Sequence, residues 1–172
     1  MHATAEAMLT ILKLNTQLFA NCLRDIDDAL AIARPNTSTN NMAFLVCHLV
    51  DARHYQACLL GVDVDCSVLE GLTEVQSIDE VRSYPPLADL AAAWSDISRL
   101  LEERLEAATA EDLAQPAPQE FPVDDPTIGG AILFLLQHES YHLGQLALLR
   151  KYFDLPAMEY AATSTEDLSE LD

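Results

Sequence analysis

The stretch Gln137-His138-Glu139-Ser140-Tyr141-His142-Leu143-Gly144-Gln145 lies inside an apolar segment that spans residues 128–153. Residues four apart lie one turn apart on the same helix face, so His138 and His142 project together, with Gln145 nearly in line. The same face carries the apolar positions Ile128, Ala131, Leu135 and Leu149, which predicts that it points inward. Buried imidazoles need hydrogen-bond partners or a metal. We therefore expect the histidine pair to lie at the centre of the fold.

Three further amphipathic segments predict long helices over residues 3–33, 41–60 and 87–108. The first is expected to end before Arg34-Pro35, because a residue that precedes proline resists helical geometry. Residues 61–86 break the pattern, although Ser77 can cap one short turn there. Residues 115–126 hold four prolines and cannot form a helix. The sequence predicts an all-α, four-helix bundle over residues 1–156, with a long crossover between helices two and three and an acidic tail over 157–172.

Composition limits the classes of partner. The chain has 172 residues and a formal net charge of −19, which disfavours nucleic acid and anionic membranes. No apolar run reaches membrane-spanning length and no signal-peptide pattern opens the chain, so the cytoplasm is expected. Four cysteines form no C-x-x-C pair, which favours free thiols in a reducing compartment. Those within predicted helices are expected to be buried: Cys22, Cys47 and Cys58.

A third histidine completes the predicted site. His48 lies on the inward stripe of the second helix, whereas His54 lies about a third of a turn away. Three neutral imidazoles bind one divalent transition metal and leave a position open, and Zn, Ni, Fe and Cu all accept imidazole. The predicted ligands are His48, His138 and His142, with Zn, Ni or Fe as the expected metals.

Several other polar residues have more than one predicted role. Gln145, Asn15, Asn41 and Tyr141 are candidates for contacts with the ligands or with substrate. Asn15 interrupts the apolar stripe of the first helix, where it either pairs with a neighbouring helix or faces a polar pocket. Trp94 is predicted to lie in the core.

The pattern His138-x-x-x-His142-x-Gly144-Gln145, together with Asn41 and His48-Leu49, resembles the DinB-like metal-binding four-helix bundle family. The resemblance covers residues 3–153. It implies the same three histidine ligands and the same crossover between helices two and three. Family members include bacillithiol and mycothiol S-transferases and a mycothiol-dependent maleylpyruvate isomerase, and dimers are common. A low-molecular-weight thiol, a small-molecule substrate and a homodimer are therefore expectations from the resemblance.

Two other interpretations remain. His138-Glu139-Ser140-Tyr141-His142 also fits H-E-x-x-H, the zinc protease signature, with Glu139 as general base and Glu159 as the third ligand. A non-catalytic helical interaction module would need no metal. The predicted function is a metal-dependent enzyme of the thiol S-transferase or hydrolase type.

Overall fold

Four long helices form the body of the protein, as predicted. The computed structural model describes residues 3–73, 75 and 77–161. Its α-helices are α1 (Ala3–Leu23), α2 (Asp28–Ala31), α3 (Met42–Leu59), α4 (Leu87–Ala107), α5 (Ala110–Leu113) and α6 (Ile128–Tyr152). The predicted bounds of the last three long helices are correct to within one residue at each end. None of the described helices combines the length and apolarity needed to cross a bilayer.

The prediction of one continuous helix over residues 3–33 is wrong. The chain leaves α1 after Leu23 and passes through Asp25, whose φ of 60° lies in the left-handed region. Asp27 then caps α2 by accepting a hydrogen bond from the backbone N–H of Leu30. The guanidinium of Arg150 donates to the carbonyl oxygens of Cys22 and Arg24. These bonds satisfy carbonyl oxygens at the end of α1. In a longer helix, the N–H groups of the next turn would donate to such oxygens.

The order of the buried residues along each helix gives the topology. One apolar cluster contains the end of α1, the starts of α3 and α4, and the end of α6. The other contains the opposite ends of these helices. Helices α3 and α4 therefore run parallel to each other and antiparallel to α1 and α6. The connection between α3 and α4 must return the chain to the same end, which confirms the predicted long crossover.

That crossover contains two short 3₁₀ turns, Ser67–Leu69 and Ile78–Glu80. The Ser77 side chain accepts a hydrogen bond from the backbone N–H of Asp79, so the predicted cap at Ser77 is confirmed. Thr109 and Asp112 cap α5 reciprocally.

A buried polar layer separates the two apolar clusters. At its centre the Arg53 guanidinium from α3 donates to both carboxylate oxygens of Glu139 from α6, at 2.6 and 2.7 Å, and neither side chain is exposed. Asn15 and Gln56 also donate to Glu139. The remaining guanidinium nitrogen of Arg53 donates to Thr16 and Ser98. The layer thus connects all four long helices through one ion pair.

Two aromatic residues pack beside this layer. Phe19 stacks on Trp94 with ring centroids 4.2 Å apart. The Arg53 guanidinium lies 3.9 Å from the centre of the Trp94 ring, a favourable cation–π contact. The prediction that Trp94 lies in the core is confirmed, since only 2% of it is exposed.

The predicted acidic tail begins in contact with the bundle. Asn21 of α1 donates to the backbone oxygens of Glu159 and Ala161. Gln17 donates to the backbone oxygen of Tyr160. The rest of the predicted tail, residues 162–172, lies outside the described residues.

The cysteines are free thiols, as predicted, but they differ in exposure. Cys22 and Cys47 are buried, which raises the pKa of Cys22 to about 11 and that of Cys47 to about 12. Burial also raises the pKa of the partly exposed Cys66 to about 11. The prediction that Cys58 is buried is wrong, because it lies on the outward face of α3.

The thiols should react in this order of exposure. At pH 8 we expect 5,5′-dithiobis(2-nitrobenzoate) to modify Cys58 first and Cys66 more slowly, because only the thiolate reacts and a raised pKa keeps its population small. Cys22 and Cys47 should react only after unfolding. Absorbance at the thionitrobenzoate band measures each phase. A Cys58→Ser variant should lose the fast phase, and retention of that phase would contradict the assignment.

The ion pair should show strong coupling in a double-mutant cycle. Glu139→Gln and Arg53→Met should each lower the free energy of unfolding by about 3–5 kcal/mol, because each leaves a buried group without its partner. The double variant should lose less than the sum of the two single losses. Urea denaturation with chelator present measures all four proteins. Arg99→Met breaks an exposed pair with Glu103 and should change stability by less than about 1 kcal/mol. Additive losses in the cycle would contradict the coupling.

Candidate metal centre

His48 from α3 and His138 and His142 from α6 form a cluster where these antiparallel helices meet. The Nε2 atom of His138 lies 3.1 Å from Nε2 of His48 and 3.0 Å from Nε2 of His142. The candidate ligand atoms of the three side chains all lie within 4.8 Å of one another. The fold therefore brings together the three histidines that the sequence predicts as ligands. His48 and His138 are ninety residues apart in the chain.

The surroundings keep these imidazoles neutral at neutral pH. Burial, followed by the charges of His142 and His48, lowers the pKa of His138 to about 4. Burial also lowers the pKa of His48, and His142 adds to the effect. For His142, burial lowers the pKa although the hydrogen bond with Gln145 opposes it. Neutral rings offer lone pairs, which metal coordination requires.

Gln145 determines which nitrogen of His142 carries the hydrogen. Nδ1 of His142 lies 2.6 Å from the amide oxygen of Gln145. The amide nitrogen of Gln145 donates to the Tyr141 hydroxyl at 3.2 Å. Because an amide oxygen can only accept, the hydrogen of His142 is on Nδ1 and its Nε2 presents a lone pair to the cluster. This is the role that partners of metal-binding histidines usually have.

The arrangement of the three Nε2 atoms fits coordination of a metal better than hydrogen bonding between the rings. A neutral imidazole has one N–H, so Nε2 of His138 cannot donate fully to both neighbours. Two nitrogens bound to one metal at about 2.1 Å lie about 3.0 Å apart at right angles and about 3.4 Å apart in a tetrahedral site. The observed separations of 3.0 and 3.1 Å lie at the short end of this range. The cluster could therefore hold one divalent metal ion.

Aromatic rings surround the α6 side of the cluster. Tyr141 lies edge-on to His142, with ring centroids 5.0 Å apart, and is largely exposed. Phe134 lies one turn before His138, at 6.0 Å between ring centroids. Phe121, from the proline-rich segment, contacts both Phe134 and Tyr55. These rings line the α6 side of the cluster.

A small cavity of about 50 Å³ lies on the α3 side. His48 lines it together with Phe44, Cys47 and Asp51 of the same helix, and the crossover closes it with residues that include Tyr84. Burial raises the pKa of the Asp51 carboxyl, and His54 partly offsets this. Asp51 was not among the predicted site residues. Its position three residues after His48 was the signal, since such residues are neighbours on a helix surface.

Two other candidate site residues, Glu139 and Asn15, lie in the buried polar layer and not in the histidine cluster. Glu139 points into the polar layer, where hydrogen bonds from Arg53, Gln56 and Asn15 occupy its carboxylate. Glu139 is therefore not placed to act as the general base of a zinc protease. Asn15 pairs with α6 through Glu139 and the Leu136 carbonyl oxygen, which resolves its two open interpretations in favour of helix pairing.

Two more residues prove to have local structural roles. Asn41 caps α3 by accepting from the backbone N–H of Phe44, and donates to the Ile32 carbonyl oxygen. Nδ1 of His54 contacts the Val50 carbonyl oxygen within α3, and His54 is not part of the cluster. Glu159, the carboxylate that a protease would use, is exposed and also outside the cluster.

Comparison with known families agrees with this geometry. The family model described as the DinB superfamily matches residues 11–146. The matched range begins within α1, ends within α6 and includes all three clustered histidines. No curated protein matches the chain.

Metal binding should depend on His48 and not on its helical neighbour His54. We expect wild-type protein to bind one divalent metal per chain, and His48→Gln to weaken binding by more than the 10–100-fold typical of changes outside the ligand set. His54→Gln and Glu159→Gln should bind as the wild type does. Titration of chelator-treated protein with Zn²⁺, followed by calorimetry and elemental analysis, measures this. Normal affinity in His48→Gln, with loss in Glu159→Gln, would overturn the site.

Proposed function

Because this chain belongs to the DinB superfamily and clusters three neutral histidines, we propose that it is a metal-dependent enzyme of the thiol S-transferase or hydrolase type. The observation that carries the proposal is the convergence of three Nε2 atoms from α3 and α6. The Gln145 contact supports it, since it aims the lone pair of His142 at the other two rings.

In this proposal His48, His138 and His142 hold one Zn, Ni or Fe ion. A bound dication of this kind would stabilise a thiolate, or lower the pKa of a water molecule, and so supply a nucleophile near neutral pH. Gln145 holds the His142 ring in orientation and fixes its proton on Nδ1. Phe134 and Tyr141 contact the rings of His138 and His142. The cavity beside His48 has room for part of a small substrate, and not for a folded protein.

The S-transferase activity is favoured over peptide hydrolysis by the position of Glu139. A zinc protease of the H-E-x-x-H type needs its glutamate free beside the metal to act as base. Here the Glu139 carboxylate is fully buried and paired with Arg53.

An interaction module is the second candidate, and the outer face of α6 favours it. Four large apolar or aromatic side chains are exposed there at helical spacing: Leu133, Tyr141, Leu148 and Tyr152. Exposed apolar stripes often mark protein contacts. We propose a second copy of this chain as the partner, and a cytoplasmic location for the assembly. A role in assembly is compatible with the enzyme and becomes the main function only if no catalysis is found.

The transferase should need both metal and the ligand set. We expect Zn²⁺-, Ni²⁺- or Fe²⁺-loaded protein to transfer at least one thiol from a panel of bacillithiol, mycothiol and glutathione to 1-chloro-2,4-dinitrobenzene, at least about tenfold faster than metal-free protein, because coordination raises the thiolate population. Absorbance of the thioether product measures the rate.

His48→Gln incubated with the same metals serves as the inactive control, and His54→Gln as the active one. Equal rates for all thiols with loaded and metal-free protein would contradict the transferase. Faster hydrolysis of p-nitrophenyl acetate by loaded wild type, in that case, would support the hydrolase.

A further inference from the structure

Asp51 is the acidic group on the wall of the cavity that adjoins His48. The two residues lie three apart on α3 and line the same cavity. Asp51 is half-buried, and its carboxylate makes no hydrogen bond or ion pair with any described residue. A partly buried carboxylate without a partner is unusual, since burial of a charge is costly unless it is compensated. His54 offsets part of the cost of this burial, and solvent or a ligand supplies the rest.

No lysine or arginine side chain in the described residues pairs with the Asp51 carboxylate. Of the nine Lys and Arg residues, none lines this cavity. Arg53 pairs with Glu139, Arg34 with Asp79 and Arg99 with Glu103. Arg150 is buried against backbone carbonyls at the end of α1. Arg82 is exposed and lines two neighbouring cavities instead.

Asp51 carries the formal charge among the residues that line the cavity, beside any divalent ion that the histidines would hold. Apart from Asp51 and His48, the lining residues are uncharged: Phe44, Cys47, Leu69, Leu72, Thr73, Val75, Val81 and Tyr84. The chain as a whole carries a net charge of −19, which attracts cations to its clefts and repels anions. A carboxylate on the part of the ligand that faces away from the metal would therefore be repelled by Asp51 and by the chain as a whole.

We propose that Asp51 selects the ligand that binds beside the three histidines. It favours a small molecule that carries an ammonium group or another hydrogen-bond donor near its metal-binding atom, and it disfavours one that carries a carboxylate. Asp51 is thus a specificity-determining residue for the proposed metal site. The inference rests on the proposed function, because the histidines must hold a metal for the ligand to bind there.

Three thiols of similar size and different charge test the proposal with Co²⁺-loaded protein. They are cysteamine, 2-mercaptoethanol and 3-mercaptopropionate, which are cationic, neutral and anionic at pH 7.5. The thiolate-to-cobalt charge-transfer band reports binding of each without any turnover. The measured quantity is the ratio of the Kd of mercaptopropionate to the Kd of cysteamine. Differences in thiol acidity cancel when this ratio is compared between protein variants.

We expect the ratio to fall by about 25-fold in Asp51→Asn, because loss of one charge about 4 Å from the ligand weakens cysteamine binding and strengthens mercaptopropionate binding by about fivefold each. Asp51→Glu keeps the charge and should keep most of the preference. Asp96→Asn removes an exposed charge on α4 and should leave the ratio unchanged. Circular dichroism confirms that each variant is folded, and 2-mercaptoethanol should bind all of them with similar Kd.

An equal ratio in wild type and Asp51→Asn would overturn the inference and leave the metal site intact. The same holds if Co²⁺ binds but millimolar thiols produce no charge-transfer band. If wild-type protein does not bind Co²⁺, the proposed function fails and the inference fails with it.

Discussion

The buried ion pair between Arg53 and Glu139 is the interaction on which the rest of the structure depends. A charge that is removed from water is tolerated only when a partner and further hydrogen bonds compensate it. The four groups that complete these bonds come from α1, α3 and α4, and α6 supplies Glu139 itself: Asn15, Thr16, Gln56 and Ser98. Any rotation or shift of one helix would leave part of the layer without partners. The layer therefore specifies how the helices face one another, which apolar packing alone specifies less strictly.

The histidine cluster follows from this constraint. Arg53 lies five residues after His48 on α3, and Glu139 directly follows His138 on α6. When the ion pair holds α3 against α6, it also fixes the level and rotation at which His48 meets His138 and His142. Neighbouring residues on α6 thus point to different sides, with Glu139 in the core and the histidines at the site. The sequence motif H-E-x-x-H is satisfied, but its glutamate has a structural role.

The site lies between α6 on one side and α3 with the crossover on the other. Gln145 and the aromatic rings near α6 hold and shield the imidazoles, while the crossover closes the small cavity beside His48. A molecule in this cavity would contact side chains from the bundle and from the crossover together. Differences in the crossover can therefore change which molecule fits the cavity without moving the three histidines.

Local sequence patterns were sufficient to predict three of the long helices and the candidate ligands. Helical periodicity located three long helices to within a residue of each end. The same periodicity placed His48, His138 and His142 on inward faces. Both predictions succeed because helix bounds and helix faces depend on local spacing along the chain. Local spacing could not reveal the end of α1, which depends on Arg150 from the other end of the chain. Nor could it show that Glu139 pairs with Arg53 or that Cys58 is exposed. These features follow from tertiary packing, because each depends on which helices become neighbours.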